Sequence, residues 1–333
     1  QGGWGRAQDH AARQAVLRDA HVVCTTTVAA GSDLLYALRF QAILIDEAAQ
    51  ATEPSAAVPI ALRGAPRLVL VGDHCQLPPS VSSQEAKARG LSLSLFQRLV
   101  DEGVEPFFLD TQFRMHSQIA AFSARHFYDG RLTTGVGDAE RPPPLGFLWP
   151  QPCAGVAFVD VCGPEAEDAE SKTNSAEVLK VEEVLAGILE AKELGVLDVG
   201  VVSPYAAQVR MLRERLRGAE WRSRLQRAGV DPTGGLTGRR AQGALEIASV
   251  DAFQGREKEL IVFSAVRSND RGSVGFLSDW RRLNVMLTRA RRGLIVIGDE
   301  RTLRRDAAWR CWLAWAQEGG FFHGASATER CAS

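Results

Sequence analysis

Ala42 to Gln50 reads AILIDEAAQ. A short apolar run (Ala42, Ile43, Leu44, Ile45) stops abruptly at two adjacent acids, Asp46 and Glu47. Apolar runs of this length, buried on both faces, mark the strands of parallel sheets. Open α/β sheets bind their ligands outside the carboxyl ends of such strands. Paired carboxylates there suit Mg²⁺ on the first acid and an attacking water, oriented and deprotonated, on the second, as phosphoryl transfer requires. The same letters also describe a strand running into the acidic first turn of a helix. The stretch alone leaves both readings open.

Strand-like and helix-like segments alternate on either side of it. Residues up to about Asp19 read as an amphipathic helix, and HVVCTTT (His21 to Thr27) as a strand. Leu68 to Val71 is expected as a strand ending in Gly72-Asp73, and Ser92 to Val100 as a helix. Further strands are expected at Phe107 to Leu109, Val156 to Val161, Val199 to Val202, Glu246 to Val250, Leu260 to Ala265 and Leu294 to Ile297. Val178, Val181, Leu185 and Ile188 recur at helical spacing, as do Val209, Leu212 and Leu216 beneath a face of arginines. Gly163 to Asn174 is acidic and reads as a mobile loop; Arg222 to Arg240 is basic and reads as a surface excursion. Alternation of this kind predicts parallel α/β sheets. Two sheets in tandem are expected, with the seam near Glu105.

A chain of 333 residues suits two domains, and 45% apolar with 24% charged residues is an ordinary globular composition. The formal net charge of −1 supplies no global basic field, which argues against a histone-like binder but leaves room for a local basic groove. The six cysteines form no C-x-x-C pair, so neither zinc ligation nor a disulfide framework is expected. Reduced thiols fit a cytoplasmic or nuclear protein. No run approaches the roughly 18 apolar residues of a membrane span. The first residue is Gln1 rather than methionine, so the chain reads as a piece of something longer.

Other motifs carry chemistry at strand ends. In VLVGDHCQLPPS (Val69 to Ser80) Gln76 can sense a γ-phosphate or the water attacking it, although GDxxQ alone more often caps a helix. TQFRMH (Thr111 to His116) sets a ring, Phe113, beside a cation, Arg114; a ring stacks on a purine and a guanidinium grips phosphate bidentately. A lone Phe-Arg pair is otherwise a buried ring and a surface cation. VDAFQGREKE (Val250 to Glu259) offers Gly255, which permits close backbone approach, and Glu257, which can accept from a ribose hydroxyl. RRLNVMLTRARRG (Arg281 to Gly293) reads as a helix with Arg289, Arg291 and Arg292 at its end, either complementing the helix dipole or offering an arginine finger. The basic residues between 210 and 240 read as a solvated face.

In combination and order, DEAA, GDxxQLPP, QFRMH, SPYAAQ, VDAFQGRE and LNVxLTRAR resemble the superfamily 1 helicases of the nonsense-mediated-decay branch, the 5′-to-3′ up-frameshift and senataxin-like group. The resemblance runs from about Ala20 to Gly319. It implies an α/β fold of two tandem RecA-like domains with parallel sheets, the first (residues 1–105) truncated at its N-terminus and the second spanning 106–325. It also implies ATP in the cleft between them and a single strand of nucleic acid, RNA slightly favoured over DNA, across both. Asp46 would hold Mg²⁺, Glu47 would activate water, and Gln76 would read the γ-phosphate. Phe113, a tyrosine in many relatives, would stack on adenine. Arg114 and Arg289 would contact the γ-phosphate, and Glu257 the ribose. Nucleic-acid contacts would fall to Thr25, Thr26, Pro204, Tyr205, Val250, Asp251, Arg267, Ser268 and Asn269.

A helicase of this group also needs G-x-x-x-x-G-K-[ST], whose amides and lysine hold the β- and γ-phosphates. The chain contains none. Ser171-Lys172-Thr173 is a decoy, because Ser171 replaces the required glycine and an acidic loop precedes it. Gly135-Val136-Gly137 is no dinucleotide loop either, since Glu140 stands where the third glycine belongs. The family places its phosphate loop upstream of the DEAA strand, so a fragment of a larger ATP-driven helicase is expected. The alternative is a non-catalytic nucleic-acid-binding module derived from one.

Overall fold

The computed structural model describes residues 2–169, 171–237, 241 and 243–324, with side chains from residue 10 onward. The chain divides into two compact units, one ending at Phe107 and the other beginning at Phe108. Both are α/β and their central sheets are parallel. Among the described residues no helix is long and apolar enough to cross a membrane.

In the first unit, helix α1 (Gly2–Asp19) precedes β1 (Ile43–Ile45), α2 (Glu53–Arg63), β2 (Leu68–Leu70), α3 (Gln84–Ala88) and α4 (Leu95–Asp101). β1 and β2 pair in parallel, Ile43 opposite Leu68 and Ile45 opposite Leu70. The crossover is α2, started by the Thr52 side chain, which accepts from the Ser55 N–H, and ended by Gly64 in the left-handed region. Ile45, Ala48 and Ala56 form a small core with Ile43, Leu70, Leu95 and Phe96 packed against it. Burial on both faces is not what β1 shows: Leu44 is 64% exposed and Val69 46%, so only one face of this pair is covered. His21 to Thr27 is not a strand. It is a segment without regular secondary structure leading into short 3₁₀ turns (Ala29–Gly31 and Asp33–Leu35), and Val22 is exposed. β-branched letters favour a strand only where a ladder partner exists, and among the described residues none pairs here. Arg63 pins these turns from beneath, donating Nε to the Ala30 carbonyl and Nη1 to the Leu35 carbonyl, each at 2.8 Å.

The second unit is built on a six-stranded, all-parallel sheet of order β12-β5-β11-β10-β8-β9. Its strands are β5 (Val156–Asp160), β8 (Val199–Val202), β9 (Glu246–Ala248), β10 (Lys258–Ser264), β11 (Ala290–Gly298) and β12 (Phe322–His323). The inner strands are continuous apolar runs, as double-sided burial demands. Ala157, Val159, Val262 and Ile295 share one core with α6 (Ser175–Glu190), α7 (Ala206–Arg217) and α8 (Ala219–Arg227), through Val181, Leu185, Ile188, Leu212, Leu216 and Trp221. Alternation sends Phe158 and Phe263 to the other face, against Trp312 and Trp309 of α11 (Ala307–Glu318). α5 (Ser117–Phe127) and α10 (Trp280–Leu287) pack with α11 and β11 on that side.

Three local expectations fail here, and an edge strand was not expected. Phe107 to Leu109 is not a strand; β3 (Thr111–Gln112) lies just beyond and pairs with β4 (Thr133–Thr134). Gly163 to Asn174 contains an antiparallel hairpin, β6 (Ala166–Asp168) with β7 (Ser171–Thr173), drawn together by ion pairs from Lys172 to Glu165 and Glu167. The decoy Ser171-Lys172-Thr173 is one strand of it. The helix expected through Gly293 ends at Leu287, and Ala290 already pairs with Lys258. Arg291 and Arg292 therefore sit in β11, because the buried run Leu294 to Ile297 extends its strand backwards through them. The edge strand β12, two residues long, escaped the sequence.

Candidate functional site

In the first unit, β1 and β2 end side by side. The Val71 N–H donates to Ile45 O at 2.9 Å and the Ala48 N–H to Val71 O at 2.8 Å. Gly72 makes the junction possible: a Cβ there would lie 2.8 Å from the Ala49 nitrogen. Asp46 and Glu47 project from this corner, both exposed. Glu47 has φ +51°, the left-handed region that a non-glycine residue enters at a cost of about 1–3 kcal/mol. Two contacts hold the turn: Asp46 Oδ1 accepts from the Glu47 N–H at 2.9 Å, and Gln50 Nε2 donates to Glu47 Oε2. Beside it, Asp73 accepts from the Cys75 N–H at 2.9 Å and from Gln76 Nε2 at 2.8 Å, which fixes Gln76 over the end of β2. The donor set at this corner is carboxylate oxygen, the hard ligand type that suits Mg²⁺, so these residues fit the ion. Thr25 and Thr26 are exposed, and Thr26 Oγ1 accepts from the Ala29 N–H at the first 3₁₀ turn.

In the second unit, three motifs distant in sequence meet at one corner. Arg114 donates Nε to Glu257 and Nη1 to the Thr288 carbonyl at 2.9 Å, the latter across 174 positions of chain. Arg289 is buried at the same corner, with Nε on Val285 O and Nη2 on Thr288 Oγ1, both at 2.8 Å. Gln112 orders the loop: its Oε1 accepts from the N–H groups of Arg114 at 2.9 Å and Met115 at 2.7 Å, while Nε2 donates to Met115 O and Thr134 Oγ1. His116 is buried and its Nδ1 accepts from the Gln118 N–H, so it starts α5; burial holds its pKa below the ordinary histidine value against the nearby Asp138 charge. Phe113 is 66% exposed and lies over Gly135, the first glycine of the stretch rejected as a dinucleotide loop. Gly255, at φ +75°, turns the chain from α9 (Val250–Phe253) toward Glu257.

The residues expected on nucleic acid form a second group along the same unit. Arg267 donates to Glu165 through Nε at 2.9 Å and Nη2 at 3.2 Å; the Ser268 N–H and Asn269 Nδ2 reach the same carboxylate at 2.9 and 3.0 Å. Burial alone would raise the Glu165 pKa, but these hydrogen bonds hold it below the usual carboxylate range. Arg267 Nη1 also reaches Tyr205 Oη at 3.1 Å. Tyr205 and Val250 are buried and Pro204 half-buried, so their part is to shape the surface rather than to line it with exposed side chains. Asp251 is exposed and pairs with Arg282 at 3.1 Å. Inside the group, Val266 has φ +73°, a strained setting for a β-branched residue. Glu177 Oε2 accepts from its N–H at 2.8 Å and from Ser264 Oγ at 2.6 Å, and Asn174 Nδ2 donates to its carbonyl at 3.1 Å.

Residues 91–301, more than half of the chain, match a family profile described as AAA domain, and residues 5–84 match a second of the same description. Regulator of nonsense transcripts 1 homolog of Drosophila melanogaster is 42% identical over 301 residues, covering 90% of this chain and 24% of that protein. ATP-dependent helicase upf1 of Schizosaccharomyces pombe is 38% identical over 314 residues, covering 93% of this chain and 32% of that protein. The chain belongs to the superfamily 1 helicases of the nonsense-mediated-decay branch. It spans about a quarter to a third of the length of these relatives. Within this helicase core the sequence reading missed the residues that hold the motif residues in place. Gln112, the Thr288 carbonyl, Glu165 and Glu177 carry no recognisable spacing, and only the fold brings them to their partners. Gln112 and Thr288 alone had a signal, lying inside TQFRMH and LNVxLTRAR.

Proposed function

We propose that this chain is the part of an ATP-driven translocase on single-stranded nucleic acid, RNA in preference to DNA, that positions the hydrolytic water and senses the γ-phosphate. The observation that carries the reading is the corner where Arg114, Glu257 and Arg289, from three segments distant in sequence, meet, with both arginines donating to the one residue Thr288. Asp46 would hold Mg²⁺, which when bound supplies charge neutralisation at the phosphates. Glu47, fixed in its left-handed turn, accepts the proton of the attacking water, and Gln76 orients that water. Phe113 offers its exposed ring to adenine, and Glu257 exchanges its bond to Arg114 for a ribose hydroxyl. Arg114 and Arg289 stabilise charge on the transferred phosphoryl group; cations of this kind contribute about 10³–10⁵ in rate.

The chain contains no G-x-x-x-x-G-K-[ST], so the proposal concerns a protein in which that loop accompanies these residues. In such a protein, Glu47→Gln lowers RNA-stimulated ATP turnover about 10²–10⁴-fold, the worth of a positioned general base, and leaves ATP binding intact. Turnover by Glu47→Gln at the wild-type rate refutes the mechanism. The missing motif also favours a second reading, a non-catalytic nucleic-acid-binding module. Measured ATP turnover by the chain alone would end that reading.

A further inference from the structure

Phe276 belongs to none of the motifs that identify the family, yet it stands among the residues expected on nucleic acid. It lies in the 3₁₀ turn Gly275–Ser278, with its neighbours Val274 and Leu277 buried and its own ring 57% exposed. Among the described residues of the second unit, Phe113 and Phe276 are the phenylalanine rings more than half exposed. A scattered exposed ring needs no explanation, so the case rests on how this one is held. Its centroid is 5.8 Å from the buried Tyr205 ring, inclined at 57°, which fixes its edge. The Tyr205 hydroxyl donates to the Val274 carbonyl at 3.2 Å and so anchors the turn itself. Gly275, at φ +56°, brings the turn so close that a Cβ would fall 2.4 Å from Arg267 Nη1 and 2.8 Å from Tyr205 Oη. The Arg282 guanidinium lies 5.7 Å from the Phe276 centroid and pairs with Asp251.

A rigid exposed ring with cations beside it is what single-strand grooves use: the ring stacks on a base and the cations follow the phosphates. We propose that Phe276 is a base-stacking platform for the single strand, with Arg282 beside it to meet the backbone. The inference rests on the nucleic-acid reading above and adds to it a contact to a base rather than to the sugar-phosphate chain. Stacking is tolerant of base identity, so the platform adds affinity with little sequence preference.

The test is fluorescence anisotropy of a labelled single-stranded RNA oligonucleotide with the full chain, Phe276→Ala and Phe276→Trp. Phe276→Ala is expected to raise Kd about tenfold, within the range that one aromatic platform supplies, with unchanged thermal unfolding because the ring is exposed. Phe276→Trp is expected to keep wild-type affinity, with its indole emission quenched on binding. On an abasic oligonucleotide, wild type and Phe276→Ala are expected to bind alike. Equal Kd for wild type and Phe276→Ala on normal RNA overturns the proposal alone, and so does a loss of equal size on the abasic strand. A wild-type chain that binds no oligonucleotide overturns the nucleic-acid reading and the platform with it.

Discussion

Glu177→Gln should remove a pH dependence of stability that a single buried acid gives the second unit. Glu177 is fully buried in the first turn of α6, and burial pushes its carboxyl up to about 8, with the nearby Asp299 charge acting in the same direction. The hydrogen bonds from Ser264 and the Val266 N–H act against that rise. In the unfolded chain the same group titrates near 4.5. Between those two values the folded state keeps a proton that the unfolded state has released. The stabilisation is therefore complete below the unfolded value and is lost as pH climbs through the folded one, at up to about 1.4 kcal/mol per pH unit. Across the window this amounts to an order of 3–5 kcal/mol, or about 10 °C in Tm for a domain of this size. Thermal unfolding of wild type and Glu177→Gln in a pH series from 5 to 9 isolates the effect, because every other titrating group is common to both. The difference Tm(wild type) − Tm(Glu177→Gln) should fall by about 10 °C from pH 5 to 8 and then level. A difference that stays constant across the series refutes the argument, whatever its absolute size.

Two further substitutions test other parts of the molecule. Gly135→Ala places a methyl group 2.4 Å from Phe113 Cε1 and 2.8 Å from Thr111 Cγ2, so the exposed ring must swing away. In a protein competent for hydrolysis the KM for ATP should rise about tenfold with kcat retained, since uniform binding is lost, while Gly137→Ala, which meets only Glu140, should leave KM unchanged. In the first unit, Arg63→Ala strands the carbonyls of Ala30 and Leu35 without their buried donor. It should cost about 2–4 kcal/mol in urea unfolding, and a cost within 0.5 kcal/mol of zero would show those turns to be held by packing alone.

The parts of the fold that the sequence made legible are those whose signal is local and strong. The apolar runs at Ile43, Val199, Leu260 and Leu294 are strands, and the i, i+3, i+4 pattern from Val178 to Ile188 is the buried face of α6. What failed depends on distant partners. HVVCTTT has the composition of a strand but no neighbour among the described residues, and β12 has two residues that pair only because Phe158 and Val159 lie alongside. Arg289, Arg291 and Arg292 look like one helical cluster in sequence. All three lie beyond the helix: Arg289 sits in the helix-to-strand corner that follows Leu287, and Arg291 and Arg292 lie in β11, because Lys258 offers Ala290 a ladder partner.

The same dependence on distant partners bears on the near-neutral charge of the chain. Two of the cations expected at phosphates already hold anions, Arg114 holding Glu257 and Arg267 holding Glu165, and Arg282, beside the Phe276 ring, holds Asp251. Each carboxylate lies far away in sequence, so no reading of local charge could have matched it to its arginine. A phosphate arriving at such a guanidinium exchanges one anion for another, and the net gain is smaller than an unpaired cation would give. Less net counterion release follows from such sites, so binding should lose less with added salt than a count of arginines implies. A larger share of the affinity must then come from uncharged contacts, which is why an exposed ring held as firmly as Phe276 matters on a chain with net charge −1.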